Sequence, residues 1–400
     1  MHIHAVEPWF TQLRKFVAPE MVFGVGTLEL AGRFAANLRA SRVLVVSDAA
    51  LADISWVDRL LGVLAAAGVE ARPWLQVSAN PKDWEAAAAA EFYQQEECEG
   101  IVALGGGSPM DLAKAVGIIT SNQLPVLSFT GVDNVEKPGP PLICLPTTAG
   151  TGAEVSQFAI ITDTANRVKV AIVSKTVIPD VALLDPKLTC TMGPELTAHT
   201  GLDALTHAVE AYVSNASSPL TDTLALEAMA RIGRWLSEAV HSAADPDPHL
   251  EARAEMLLAS LQAGMAFSNA ILGAVHAMAH SLGGYLDLPH GLCNALLLDH
   301  VIHYNFAGAE ARYRDIGRAL GARIPDDAPA DEARELVVAA VRRLKQAVGV
   351  TQSLAALGVT RESLDTLAGK AAQDPCMLTN PIPANEQDLK RIFAHAAGFE

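Results

Sequence analysis

Along the first half of the chain, short aliphatic and β-branched runs alternate with longer stretches in which apolar positions recur every three or four residues. Val43–Ser47, Arg72–Val77, Ile101–Leu104 and Leu142–Leu145 read as strands. Leu51–Ala67, an alanine-rich segment around Ala86–Ala90, and Pro109 to about Ile119 read as the helices between them. That order predicts a parallel sheet with helices on both faces. Phe158–Ile161 and Val168–Val173 flank the turn-like stretch Asp163–Asn166, which predicts an inserted hairpin, and Val181–Leu184 is the last strand. After Pro194 the pattern is almost wholly helical, through Glu195–Val213, Thr221–His241, Leu250–Leu282, Leu292–His303 and Ala333–Gln346. Breaks fall at Ser217-Ser218-Pro219, at Asp245-Pro246-Asp247-Pro248 and at Pro289. The expected architecture is an α/β domain with a parallel sheet over 1–190 and an all-α domain over 191–400.

Composition narrows the partners. Of 400 residues, 50% are apolar and 18% charged, which is a core-forming balance. The 29 basic and 45 acidic residues leave a net charge of −16 with no local basic cluster. Nucleic acid and anionic membrane surfaces both need clustered Lys and Arg, so neither is an expected partner. Cys98, Cys144, Cys190, Cys293 and Cys376 are scattered and odd in number, as in reduced thiols of a cytoplasmic protein. The opening MHIHAVEPWFTQLRKF has no basic segment followed by an apolar one, so no secretory signal is expected. The most apolar long stretch, Ala263–Leu288, carries Ser268, Asn269, His276 and His280, which suits a buried helix better than a lipid-facing one.

Two loops in the first half could hold a phosphate. Residues 101–111, IVALGGGSPMD, run from a strand into a helix through three glycines, so backbone N–H groups can approach a ligand closely. Ser108 is placed as the N-cap, Pro109 suits the first helical position, and Asp111 completes a capping-box spacing. A helix N-terminus so exposed favours a pyrophosphate. The spacing is not G-x-G-x-x-G, since Met110 stands where the last glycine would fall, and a merely structural glycine turn reads equally well. A second loop, PTTAGTG at 146–152, offers hydroxyls at the same sheet edge, where open α/β sheets bind ligands. Asp48, closing the first clear strand, is placed either to bind a ribose hydroxyl or to cap the next helix.

The helical half carries the stronger chemistry. In GLDALTHAVE, Asp203 and His207 are four apart and so share one helix face. His276 and His280 repeat that spacing in HAMAH, and His290 follows in Pro289-His290-Gly291. One carboxylate with several imidazoles suits a divalent transition metal such as iron or zinc. A single histidine on an apolar helix is more often a satisfied core residue, but two such pairs and a further histidine favour a site. Spacing does not choose between His276 and His280 as ligand. His199, His300 and His303 have no carboxylate partner at helical spacing and read as ordinary histidines.

GGGSPMD, PTTAGTGAE, GLDALTHAVE, HAMAHSLG and PHG, in this order, resemble the iron-containing (group III) alcohol dehydrogenase family, including its lactaldehyde reductase and propanediol dehydrogenase members. The likeness extends from Phe23 to Cys376. It implies a nucleotide-binding domain, a helical metal-binding domain and a catalytic site between them. By motif, the metal ligands would be Asp203, His207, His276 and His290, with iron first and zinc the other candidate. His280 would not ligate; it would stand beside nicotinamide and substrate, either supporting the ligands or relaying a proton. NAD contacts would be Asp48, Asn80, Gly106, Gly107, Ser108, Asp111, Thr147, Thr148, Thr151 and Lys169. Phe158, Phe267 and Cys376 would face the substrate, a small-to-medium primary alcohol or its aldehyde. Relatives acting on small diols carry Asn where Phe158 stands here, which implies a more apolar pocket. The resemblance also implies a homodimer or larger homo-oligomer. Two other readings are an NAD- and metal-dependent lyase of the dehydroquinate synthase type, which would need several site Lys and Arg, and a non-catalytic NAD/metal sensor.

Overall fold

A computed structural model describes residues 14–166, 168–245 and 248–399. Most of the opening segment read above for a secretory signal lies outside the described residues. The first half forms a six-stranded sheet from β1 (Glu20–Phe23), β2 (Arg42–Val46), β3 (Glu70–Trp74), β4 (Gly100–Gly105), β6 (Leu142–Pro146) and β9 (Val181–Leu184). Its order is β1-β9-β6-β4-β2-β3, and every pairing is parallel. In β2 the side chains of Leu44 and Val46 enter the core on one face, those of Val43 and Val45 the core on the other. Burial on both faces explains why this strand reads as an unbroken apolar run; each such side chain contributes about 1.5–3 kcal/mol. A second sheet joins β7 (Phe158–Asp163) and β8 (Val168–Val173) as the expected antiparallel hairpin, with the short β5 (Gly131–Val132) parallel to β8.

Two strands escaped the hydrophobic pattern. β1 is a half-exposed edge strand and β5 has only two residues, so neither carries a buried apolar run. Pro73 lies in β3 and costs no inner ladder bond, because β3 is the opposite edge.

From Pro194 onward the described chain is helical, as expected, around one large apolar core that includes Leu202, Leu205 and Val209. The Pro219–His241 helix starts where the Ser-Ser-Pro break placed it: Ser218 caps it and Pro219 takes the first position. The expected helix Leu250–Leu282 is instead two helices, Leu250–Ala270 and Ala274–Leu286, at 101° to each other. The break lies at Ile271, whose φ of 63° no α-helix accommodates. That pair is apolar and long enough only when taken together; among the described residues no single helix is long and apolar enough to cross a membrane.

Candidate active site and metal centre

The parallel strands deliver their C-terminal ends to one edge. β2 and β3 run outward on one side and β4 and β6 on the other, so the crevice opens where the order reverses. At that edge the glycine turn meets the threonine loop. A Cβ on Gly107 would come within 3.0 Å of Thr151 Cγ2, so the two loops are packed at glycine distance. Gly105 has φ 153° and leads directly into the helix Gly107–Asn122.

The expected capping box is not there. The helix starts at Gly107 with Gly106 as its N-cap, and no side chain caps it. Ser108 is already helical, because the glycines let the helix begin two residues earlier. Its Oγ instead accepts from the Asn80 N–H at 3.2 Å. Asn80 itself takes a left-handed φ of 55°, and its Oδ1 accepts from Lys169 Nζ at 2.7 Å. Asp48 does cap a helix: it accepts from the Leu51 N–H at 3.0 Å.

Four residues from three helices converge across the crevice. Asp203 and His207 come from Pro194–Val213, His276 from Ala274–Leu286, and His290 from the first position of His290–Asn305. One donor atom from each lies within 4.8 Å of all the others. His207 stacks on His276 with ring centroids 4.6 Å apart, and on its other side Phe267 stacks at 4.3 Å. Burial holds the imidazoles of His207, His276 and His290 below the ordinary histidine range, so they stand neutral, as ligands must.

A further layer orients these donors. His207 Nδ1 faces the Gly150 carbonyl at 3.2 Å; a carbonyl only accepts, so Nδ1 carries the proton and Nε2 is left to ligate. His276 Nδ1 meets Glu210 Oε2 at 2.6 Å, while Glu210 Oε1 accepts from the Val275 N–H at 2.6 Å. Burial pushes the Glu210 carboxyl up to about 8. Asn294 Nδ2 donates to Asp203 Oδ1 at 2.6 Å and lies 3.1 and 3.2 Å from Nε2 of His276 and His290. Its own Oδ1 is buried without a hydrogen bond. A crowd of neutral nitrogens around a carboxylate, with an orphaned amide oxygen beside it, fits a donor set built for a divalent cation.

His280 stands apart from this set. Its Nδ1 donates to Asp374 Oδ2 at 2.8 Å, and Asp374 Oδ1 accepts from the Cys376 N–H at 2.8 Å. Burial alone would raise the Asp374 carboxyl, but the His280 imidazole and the hydrogen bonds from Cys376 together outweigh it and bring the group down to about 2. Asp374 therefore fixes the His280 tautomer and leaves Nε2 available.

One cavity of about 470 Å³ joins both regions. Its wall includes Asn80, Gly107, Ser108, Asp111, Thr151 and Lys169 on the sheet side, and Asp203, His207, His276, His280 and His290 on the helical side. Phe158, Phe267 and Cys376 also face it, whereas Asp48, Gly106, Thr147 and Thr148 lie outside its lining. Glu210, Asn294 and Asp374 were not singled out from sequence. Glu210 follows Asp203 by seven and Asn294 follows His290 by four, both on shared helix faces, so helical spacing carried a signal; Asp374 carried none.

Residues 18–186 match the iron-containing alcohol dehydrogenase family, and residues 197–397 match the C-terminal part of the Fe-containing alcohol dehydrogenase family. The chain is 39% identical over 376 residues to 1,3-propanediol dehydrogenase of Klebsiella pneumoniae, covering 94% of this chain and 96% of that one. It is 35% identical over 381 residues to NAD-dependent methanol dehydrogenase of Bacillus methanolicus, covering 95% and 99%. The crystal structure of a 1,3-propanediol oxidoreductase superposes with a TM-score of 0.93 at 38% identity, covering 96% of this chain and all of that one.

Proposed function

The chain belongs to the iron-containing alcohol dehydrogenase family and interconverts an alcohol and its aldehyde, and from that premise we propose an NAD(H)-linked, metal-dependent enzyme for small-to-medium primary alcohols with an apolar chain. One observation carries the proposal: the four converging donors and the glycine turn open into the same cavity. Asp203, His207, His276 and His290 would hold the metal, iron first and zinc the other candidate. When bound there, it supplies Lewis acidity toward the alcohol oxygen. NAD supplies the hydride acceptor, and the division of labour assigned to the chain is a nucleotide half over 1–190 and a metal half over 191–400.

The chain's own residues then have distinct tasks. Gly107, Ser108 and Thr151, with Gly106, Thr147 and Thr148 behind them, cradle the pyrophosphate at the helix N-terminus. Asn80 and Lys169, already bonded to each other, and Asp111 border the nucleotide. Asp48 offers its remaining oxygen to the ribose. His280, oriented by Asp374, moves a proton at Nε2 between the reacting oxygen and solvent. The pocket wall favours an apolar chain: Phe158, Phe267, Ile271, Leu272 and Leu378 line it, and the Thr379 and Ser156 hydroxyls in the same wall already have a protein partner. Thr379 Oγ1 donates to the Leu272 carbonyl at 2.5 Å, and Ser156 Oγ accepts from Lys114 at 3.1 Å.

The lyase reading is not favoured. Among the described residues Lys169 is the one cation lining the cavity, and a polyanionic sugar acid needs several. We place the enzyme in the cytoplasm, as scattered thiols suit, and as a homodimer or larger homo-oligomer. The test is an NADH-linked aldehyde and alcohol panel on metal-quantified protein. 1-Butanol and 1,3-propanediol have equal heavy-atom counts, and butanol should win in kcat/KM by up to about 100-fold. Preference for the diol would refute the apolar pocket.

A further inference from the structure

The two helices that meet at 101° are joined by Ile271, Leu272 and Gly273. Ile271 has φ 63° and ψ −173°, a region that belongs almost exclusively to glycine. For a β-branched side chain it is a strained conformation. The backbone is pinned by hydrogen bonds on both sides of it. The Ile271 N–H donates to the Phe267 carbonyl at 2.7 Å, and the Ser214 hydroxyl donates to the Ala270 carbonyl. On the far side Thr379 holds the Leu272 carbonyl, Asn380 Oδ1 accepts from the Ala274 N–H at 3.0 Å, and Glu210 accepts from the Val275 N–H. The corner does contain a glycine, but at 273, where a Cβ would come within 3.0 Å of both Asn380 Oδ1 and Glu210 Oε1. The position whose backbone asks for glycine carries an isoleucine, and that isoleucine lines the cavity beside Phe267 and Leu272.

We propose that Ile271 is a specificity-determining residue whose side chain is held in the alcohol end of the cavity by a strained backbone and limits the bulk of the alcohol accepted. The specificity role rests on the alcohol dehydrogenase reading above; the strain does not. The test compares Ile271→Gly, Ile271→Ala and Ile271→Val on metal-loaded protein, by thermal melting and by kcat/KM for benzyl alcohol against ethanol. Glycine relieves the strain whereas alanine keeps it, so Ile271→Gly should melt about 2–4 °C above Ile271→Ala, the reverse of the usual order for the two residues. An Ile271→Ala protein at least as stable as Ile271→Gly would overturn the strain. The benzyl alcohol to ethanol ratio should rise at least about tenfold in both, and a few-fold in Ile271→Val, which trims one carbon without disturbing the backbone. An unchanged ratio in all three would overturn the specificity role. A wild-type protein inert toward every alcohol and aldehyde would remove the enzyme reading and this role together, while the melting order still decides on the strain.

Discussion

The two sides of the cavity are made of different material. On the sheet side, backbone does much of the work: three glycines strip the turn of Cβ atoms, and the helix behind it begins with no side-chain cap at all. On the helical side, the work is done by side chains, and most of them are aimed by another group. Gly150 aims His207, Glu210 aims His276, Asn294 aims Asp203 and Asp374 aims His280. A backbone site is set by the fold and fails when space is taken away. A side-chain site fails when a donor or its support is removed.

Substitutions can break that contrast in order of size. His280→Ala should lower kcat by about 10²–10⁴-fold with metal content unchanged, since it removes a proton relay and no ligand; loss of metal in parallel would make His280 a ligand instead. Glu210→Gln should weaken metal binding by about 10–100-fold in chelator competition, because Glu210 meets the N–H groups of His276 and Val275 with two oxygens and a glutamine offers only one. Wild-type metal affinity in that variant would leave the supporting layer without function. On the other side, Gly107→Ala should raise KM for NAD several-fold while metal content holds, as its Cβ presses on Thr151. Asp48 gives the smallest effect. Asp48→Ser keeps the cap on Leu51 and removes the charge, so stability should hold while use of NADP improves; Asp48→Ala also loses the cap, at about 1 kcal/mol. An unaltered NADP to NAD ratio in both would confine Asp48 to capping.

The sequence was most legible where one period dominates. β2 and β4 are buried on both faces and read as apolar runs, and the i, i+4 spacing of Asp203 and His207 announced their place in the donor cluster because one helix turn brings such residues together. Legibility failed where conformation is set from outside the segment. Ile271 lies inside an uninterrupted helical pattern, yet hydrogen bonds with Ser214, Thr379 and Asn380, remote in sequence, hold the chain on either side of the bend. β1 is an exposed edge and leaves no apolar signature. Ser108 looked like a cap by composition, but the flexibility of Gly106 and Gly107 let the helix begin before it. Spacing alone left His276 and His280 equivalent. The structure separates them: His276 is backed by Glu210 inside the donor cluster, and His280 by Asp374 outside it.

The central claim is that metal and nucleotide are held by separate parts of one cavity and meet only in turnover. The direct measurement is His276→Ala, with metal content, NADH binding and alcohol oxidation determined on the same preparation. The account predicts loss of bound metal, a fall in turnover of about 10³-fold or more, and NADH affinity within a few-fold of wild type. Wild-type metal and turnover in that variant, or loss of NADH binding along with the metal, would contradict it.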